Sequence, residues 1–84
     1  MPEDIDVTVR LFAALREAAG TDRVALRLPA GTPAGAVWAH LPGGLATAPP
    51  PPGTRWALND TWTLPGTPLR DGDVVAVLLP GAGG

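Results

Sequence analysis

The side chains of this 84-residue chain offer few groups that could do covalent chemistry. The sequence contains no serine, cysteine, lysine or tyrosine, and it has one histidine, His40. Serine, cysteine and lysine are the usual nucleophiles of enzymes, and histidine is the commonest general base. A threonine or a carboxylate could still serve as a nucleophile, but no catalytic triad can be formed from these residue types. We therefore expect that the chain is not a catalyst by itself.

The end of the sequence is its most unusual chemical feature. It reads Leu78-Leu79-Pro80-Gly81-Ala82-Gly83-Gly84, so that an apolar run stops at a proline and four small residues follow. Chain ends are often disordered, and simple fraying is one interpretation. By themselves, the residues of this tail are only a weak signal of function. We expect one domain over residues 1–80 and a flexible tail over residues 81–84.

Composition and charge exclude several classes of partner. The formal net charge of -2 provides no basic surface for nucleic acid. No stretch approaches the ~20 apolar residues of a membrane span. One histidine, His40, and no cysteine provide too few ligands for a typical zinc site, so we expect no bound metal. Because the start of the chain, Met1-Pro2-Glu3-Asp4, is acidic where a signal peptide would be basic, we expect a cytoplasmic protein.

Hydrophobic periodicity predicts an α+β domain with a mixed sheet. Alternation at period two is typical of half-buried strands, and a continuous apolar run indicates a strand buried on both faces. Thr32 before Pro33 is typical of a helix N-cap followed by a first-turn proline, and Gly20 is a natural helix end. Four consecutive prolines at 49–52 predict a stiff loop. The predicted elements are strands at 5–11, 23–28, 55–58, around Trp62 and at 74–79, and helices at 13–19 and 34–41.

The two most apolar strands, the first and the last, are predicted to lie side by side in the centre of the sheet. A helix from about Ala34 to Leu41 covers one face of this sheet through Val37, Trp38 and Leu41. Residue parity then assigns Thr8, Arg10 and Phe12 to the opposite face, next to Val74, Ala76 and Leu78. An exposed apolar patch of this kind usually marks a partner surface.

Three motifs in this order resemble the β-grasp, ubiquitin-like sulfur carriers, and most closely the small subunits of molybdopterin synthase. The first is Phe12-Ala13-Ala14-Leu15-Arg16-Glu17 after the first strand, and the second is Asn59 in a turn. The third is Pro68-Leu69-Arg70-Asp71-Gly72-Asp73-Val74-Val75-Ala76, which is followed by the terminal Gly83-Gly84. The family commonly has Pro-Pro-Val-x-Gly-Gly at its end, so the tail of this chain departs from the pattern.

The resemblance implies a function for the tail. In such carriers an E1-like enzyme uses ATP to adenylate the C-terminal carboxylate, and a sulfur donor of the desulfurase or rhodanese type converts it to a thiocarboxylate. Gly84 would be that site, with Gly81, Ala82 and Gly83 as its tail, and the chain itself would bind no cofactor. The large subunit of molybdopterin synthase would be the partner, contacted through Phe12, Arg10, Arg16 and Leu78, of which Arg16 comes mainly from the resemblance.

Two other functions of the same fold remain open from the sequence. One is a sulfur carrier for thiamine thiazole, cysteine or tRNA thiolation. The other is a ubiquitin-like protein modifier that is conjugated through Gly84 to lysines of other proteins.

Overall fold

The computed structural model describes residues 3–81 of the chain and contains five strands, one α-helix and two 3₁₀ helices. The short α-helix ends at Gly20, whose positive φ of 75° and N–H bond to the Arg16 carbonyl give the predicted helix end. The elements are β1 (Asp4–Leu11), α1 (Ala13–Ala19), β2 (Arg23–Pro29), a 3₁₀ helix (Ala34–His40), a 3₁₀ turn (Leu45–Thr47), β3 (Arg55–Leu58), β4 (Thr61–Thr63) and β5 (Val74–Leu78).

The five strands form one mixed sheet in the order β2-β1-β5-β3-β4. The first and last strands are adjacent and parallel, with Val9 opposite Val75 and Leu11 opposite Val77. β2 pairs with β1, and β3 pairs with both β5 and β4, all in antiparallel orientation. This arrangement confirms the predicted α+β fold with a β-grasp sheet and a central pair made of the first and last strands.

Alternate residues of the strands form the core on one face, which we call the inner face. Val9, Val75 and Val77 are completely buried there. Leu15 of α1 and Val37 and Trp38 of the 3₁₀ helix pack into the same core cluster. Burial of these side chains is the main favourable term for folding, at ~1.5–3 kcal/mol for each large one. The parity assignment is thereby confirmed. The prediction that the apolar run of the last strand is buried on both faces is wrong, because Val74, Ala76 and Leu78 are only half-buried on the face opposite the helices.

The segment 34–41 covers the inner face as predicted, but it is a 3₁₀ helix rather than an α-helix. Its backbone bonds include Leu41 N–H to the Trp38 carbonyl, and loop carbonyls at Pro65 and Thr67 accept the N–H groups of Gly35 and Ala34. Satisfied donors at the first turn and a low helix propensity at Gly35 favour this short, tight form. The N-cap assigned to Thr32 is wrong, because Pro33 occupies that position and the Thr32 hydroxyl donates to the Pro29 carbonyl.

The motif around Asn59 holds three segments of the sheet together. Asn59 and Asp60 both have positive φ, 49° and 69°, as the two central residues of a tight β3–β4 hairpin turn require. The Asn59 side chain accepts the backbone N–H of Val74 at 2.9 Å and donates to the Asp73 carboxylate at 3.0 Å. These bonds fix the start of β5 against the hairpin, so this motif serves architecture.

The Asp71-Gly72 turn fixes the other side of β5. Asp71 accepts the backbone N–H of Asp6 at 2.8 Å, and Gly72 donates to the Asp6 carbonyl at 2.8 Å. Leu69, two residues before this turn, is buried in the core. The turn therefore anchors the start of β5 to β1. The tail follows the opposite end of β5.

Candidate functional site

The face of the sheet opposite the core, here called the outer face, is built from the alternate residues of the same strands. The pairing places Arg23, Arg10, Ala76, Ala57 and Trp62 in one row across all five strands. The next row towards the end of β5 contains Leu78 opposite Arg55, and continuation of the β1–β5 register places Phe12 beside Leu78. The predicted partner residues Arg10, Phe12 and Leu78 are therefore brought together on one surface.

These residues are accessible to a partner while remaining ordered parts of the sheet. Arg10, Phe12 and Leu78 are half-buried, unlike the completely buried Val9 and Val77 beside them. The guanidinium carbon of Arg10 lies 5.3 Å from the centre of the Phe12 ring, within the range of a cation–π contact. An aromatic ring held this way loses little side-chain freedom on binding, which suits it to an interface anchor.

Two exposed apolar side chains, one in β4 and one directly after it, were not predicted from the sequence to belong to a partner surface. Trp62 of β4 is 54% exposed, and Leu64, directly after β4, is 76% exposed. The guanidinium of Arg55 stacks over the Trp62 ring at 3.7 Å. The two-residue turn at Asn59-Asp60 could have revealed Trp62, because it fixes Trp62 opposite Ala57 on the outer face.

Charge divides the outer face into two ends. At the start of β1, Arg27 forms ion pairs with Asp6 at 3.0 Å and with Asp4 at 3.8 Å. Towards the end of β1, Arg10 lies opposite Arg23 on β2, a like-charge pair that disfavours the sheet. Within residues 3–81, no carboxylate lies within ion-pair distance of Arg10, Arg23 or Arg55. The end of the face nearest the tail therefore presents uncompensated positive charge beside apolar side chains.

The cavity on the outer face is shallow. It is an open depression of about 330 Å³ that two arginines, Arg10 and Arg23, share with the Asp60 carboxylate. Among residues 3–81, no group of three or more histidine, aspartate or glutamate side chains is placed to hold a metal ion. His40 is exposed at the end of the 3₁₀ helix, as expected for a surface residue. This geometry fits an interaction surface better than a catalytic pocket.

Arg16 lies on α1 and not on a strand of the outer face. Its side chain is exposed in the last turn of the helix, where a positive charge interacts favourably with the helix dipole. Its contribution to partner binding stays a prediction that comes from the resemblance.

The tail leaves the sheet next to the apolar end of the outer face. β5 ends at Leu78, Leu79 is packed against the core, Pro80 begins a turn, and Gly81 has a positive φ of 78°. Ala82, Gly83 and the predicted reactive residue Gly84 lie outside the described residues. Gly81 is therefore the last residue of the tail whose backbone conformation is described.

None of the three helices described within residues 3–81 has the length and apolar character needed to span a membrane.

Solved structures of archaeal proteins share this fold. Small archaeal modifier protein 1 (SAMP1) of Haloferax volcanii matches with a TM-score of 0.76 and 23% identity, over 94% of this chain and 99% of that one. A protein of Pyrococcus furiosus described as molybdopterin converting factor, subunit 1, matches with a TM-score of 0.69 and 24% identity, over 90% and 98%. The HVO 2177 protein of Haloferax volcanii has a TM-score of 0.74 and 28% identity, over 96% and 88%.

Sequence comparison identifies the family. No curated protein matches the chain closely enough to count as a relative. The sequence pattern of the ThiS family, in contrast, matches residues 9–84, which includes all strands of the sheet in whole or in part and the glycine tail. The chain belongs to the ThiS family of β-grasp sulfur carriers.

Proposed function

We propose that the chain is the sulfur-donating small subunit of a molybdopterin synthase, with the carboxylate of Gly84 as the sulfur-carrying group. The observation that carries the proposal is the family match, which continues through Gly84. The choice of pathway comes from the resemblance of the sequence motifs to molybdopterin synthase small subunits, and the molybdopterin converting factor subunit of Pyrococcus furiosus shares the fold. The absence of serine, cysteine and lysine from the whole sequence fits a chain that is modified by other enzymes.

The proposed chemistry begins with activation of Gly84. A carboxylate oxygen attacks the α-phosphorus of ATP, pyrophosphate leaves, and an acyl-adenylate forms. The outer sulfur of a donor persulfide then attacks the acyl carbon, and AMP leaves with the bonding electrons. A thiol reductant cleaves the S–S bond of the resulting acyl disulfide and is itself oxidised to a disulfide. The product is a thiocarboxylate. An E1-like enzyme would catalyse the adenylation, and a desulfurase or rhodanese would supply the sulfur, so the cycle belongs in a compartment that contains ATP, which we take to be the cytoplasm.

Sulfur transfer would take place in the complex with the large subunit. The thiocarboxylate sulfur attacks a carbon of the pterin precursor, an oxygen group leaves that carbon, and one of the two carbon–sulfur bonds of the dithiolene forms. Water then cleaves the acyl–sulfur bond, and the Gly84 carboxylate is regenerated. Four extended residues from Gly81 to Gly84 reach about 13 Å, enough to enter a buried pocket. The chain serves as substrate and donor in this reaction and supplies no catalytic side chain.

The outer face is the proposed docking surface for the large subunit. Phe12 and Leu78 would enter an apolar part of the interface, and Arg10 with Arg23 would meet acidic groups of the partner. Ordering a glycine tail costs ~1–2 kcal/mol per residue, and apolar contacts at this face would offset that cost. The position of the face beside the tail exit supports this role, because one partner can then contact both.

A second candidate function is conjugation to other proteins. Three of the similar solved structures, two from Haloferax volcanii and one from Methanosarcina acetivorans, are described as small archaeal modifier protein 1. In this case the Gly84 carboxyl carbon would be attacked by a lysine amine, and AMP or sulfide would leave.

One reconstitution separates the two candidates and the other sulfur pathways. The thiocarboxylated chain is mixed with a molybdopterin synthase large subunit and the pterin precursor, and dithiolene formation is followed with a chain lacking Gly84 as control. We expect dithiolene formation only with the intact chain. If no dithiolene forms, but peptides with Gly84 linked to lysine accumulate in the cells that make the protein, the modifier function replaces the proposal.

A further inference from the structure

The proline-rich loop contacts the root of the tail. A Cβ placed on Gly53 would lie 3.1 Å from Cγ of Pro80 and 3.6 Å from its Cβ, so the Gly53 backbone packs directly against the Pro80 ring. Gly53 has a positive φ of 87°, and Gly81, which follows Pro80, has a positive φ of 78°. Two Pro-Gly turns thus meet at the point where the chain leaves β5.

Both ends of the loop are fixed. At its start, the indole N–H of the buried Trp38 donates to the Ala48 carbonyl at 2.7 Å. At its end, the backbone N–H and the hydroxyl of Thr54 both donate to the Pro51 carbonyl, at 3.1 Å and 2.7 Å. Proline at the second position and glycine with positive φ at the third are the residues of a type II turn, here Pro51 to Thr54.

The four prolines make the segment between these anchors stiff. Each proline ring restricts φ to about -65°, and consecutive prolines favour an extended, semi-rigid chain. The loop therefore forms a strut between the buried Trp38 and the exposed Pro80. The chain that leads from β5 into Pro80 is also fixed, because Leu79, the residue before Pro80, packs against the core.

We propose that residues 48–54 form a brace that sets the direction in which the tail leaves the domain, with Gly53 as a positioning residue. Its consequence for catalysis rests on the proposed function, but the contact with Pro80 does not. The brace acts by excluding tail directions at Pro80 and Gly81 before any enzyme binds. With fewer directions open to the tail, the conformation that an activating enzyme binds makes up a larger fraction of the free protein. The enzyme then binds the protein more tightly.

The test compares two glycines that share backbone strain but differ in what they touch. Gly53→Ala introduces a Cβ against Pro80 at a φ of 87°, whereas Gly31→Ala introduces one at a φ of 83° with nothing within 4 Å. Both variants should lose stability to a similar degree, because alanine tolerates a positive φ poorly. Gly53→Asn is a third variant, which keeps the Cβ at Pro80 with a residue that accepts this backbone conformation more readily.

Adenylation is measured by ATP–pyrophosphate exchange with an E1-like enzyme that accepts the wild-type chain. We expect kcat/KM to fall about fivefold for Gly53→Ala and Gly53→Asn. Freeing the backbone of one residue lowers the fraction of molecules in the conformation that the enzyme accepts by about this factor. The fall should appear mainly in KM, and Gly31→Ala should match the wild type. Equal kcat/KM values for the Gly53 and Gly31 variants would overturn the brace.

A second measurement tests the brace without any enzyme. The amide of Gly81 is observed by NMR in the free protein, and its residual dipolar coupling and heteronuclear NOE are compared among the variants. Both should change in the two Gly53 variants and stay at the wild-type values in Gly31→Ala. An unaltered Gly81 amide in Gly53→Asn would contradict the proposal. If the wild-type chain is never adenylated, the proposed function fails, and this measurement still decides whether the brace exists.

Discussion

The inner and outer faces of the sheet are made by neighbouring residues of the same strands, yet the two faces differ in burial and in charge. On β5, Val75 and Val77 are completely buried under the helices, whereas Val74, Ala76 and Leu78 are half-buried on the outer face. On β1, β2, β3 and β5 the inner residues are all apolar, while the outer residues interleave apolar side chains with Arg10, Arg23 and Arg55. Parity alone therefore assigns the apolar residues of one strand to the buried core or to the accessible face.

The tail is a third region to compare, because its residues follow the last strand, β5, in the sequence. Removing Gly84 should leave thermal stability unchanged, since a residue beyond the sheet contributes little to folding. Adenylation should be lost, because the new terminal carboxylate would lie about 3.5 Å short of its site. A displacement of about 1 Å already costs a hundredfold in rate. Melting temperature and ATP–pyrophosphate exchange are the two measurements.

A chain extended by one residue after Gly84 is the matched control for this deletion. It should be as inactive as the deletion variant, because the carboxylate is again misplaced. Full adenylation of either variant would contradict the role assigned to Gly84.

Adjacent residues at the end of β5 give the sharpest test of the two faces. Val77→Ala should lower the free energy of unfolding by about 2 kcal/mol, through two lost methyl groups and the cavity left in the core. Leu78→Ala removes a larger side chain but should change stability by less than about 1 kcal/mol, because Leu78 is only half-buried on the outer face. Urea denaturation measures both. Equal losses would mean that the two faces do not differ in their contribution to stability.

Phe12→Ala should weaken binding to the large subunit at least tenfold, which corresponds to about 1.4 kcal/mol. The physical reason is the loss of a ring that sits beside Leu78 and is held by Arg10. Isothermal titration calorimetry gives the affinity, and circular dichroism shows whether the domain stays folded. An unfolded variant would show that Phe12 is required for the core, and the assignment of this residue to the outer face would then be wrong.

The smallest effect is expected from charge at the two ends of the outer face. Arg10→Gln should weaken binding severalfold at low salt, and less at high salt, because exposed charges are screened. Arg27→Gln is the matched control, since Arg27 is already paired with Asp4 and Asp6. The association rate measured at several ionic strengths should depend on Arg10 and not on Arg27. The same salt dependence in both variants would remove the distinction between the two ends.

The sequence predicted the sheet well, because period two assigns Val7, Val9 and Leu11 to one face without any tertiary information. The central pair of strands followed from their apolar character. The 3₁₀ form of segment 34–41 could not be predicted in this way, because the carbonyls that accept its first N–H groups belong to residues 65 and 67. Local propensity does not report such partners.

The candidate site was predictable only in part, for a similar reason. Phe12 and Leu78 were found by parity, but Trp62 required the pairing of β3 with β4. The contact between Gly53 and Pro80 joins residues that are far apart in the sequence. The proline run indicated a stiff loop without indicating what the loop touches. Contacts that depend on how loops pack are not visible in a hydrophobic pattern.

Mass spectrometry of the C-terminal peptide shows whether Gly84 carries sulfur. The protein is incubated with an E1-like enzyme, ATP and a sulfur donor, and a reaction without ATP is the control. We expect a mass gain equal to the difference between one sulfur atom and one oxygen atom, located on Gly84 and dependent on ATP. An unchanged peptide in the presence of an enzyme that adenylates the chain, or the same gain without ATP, would contradict it.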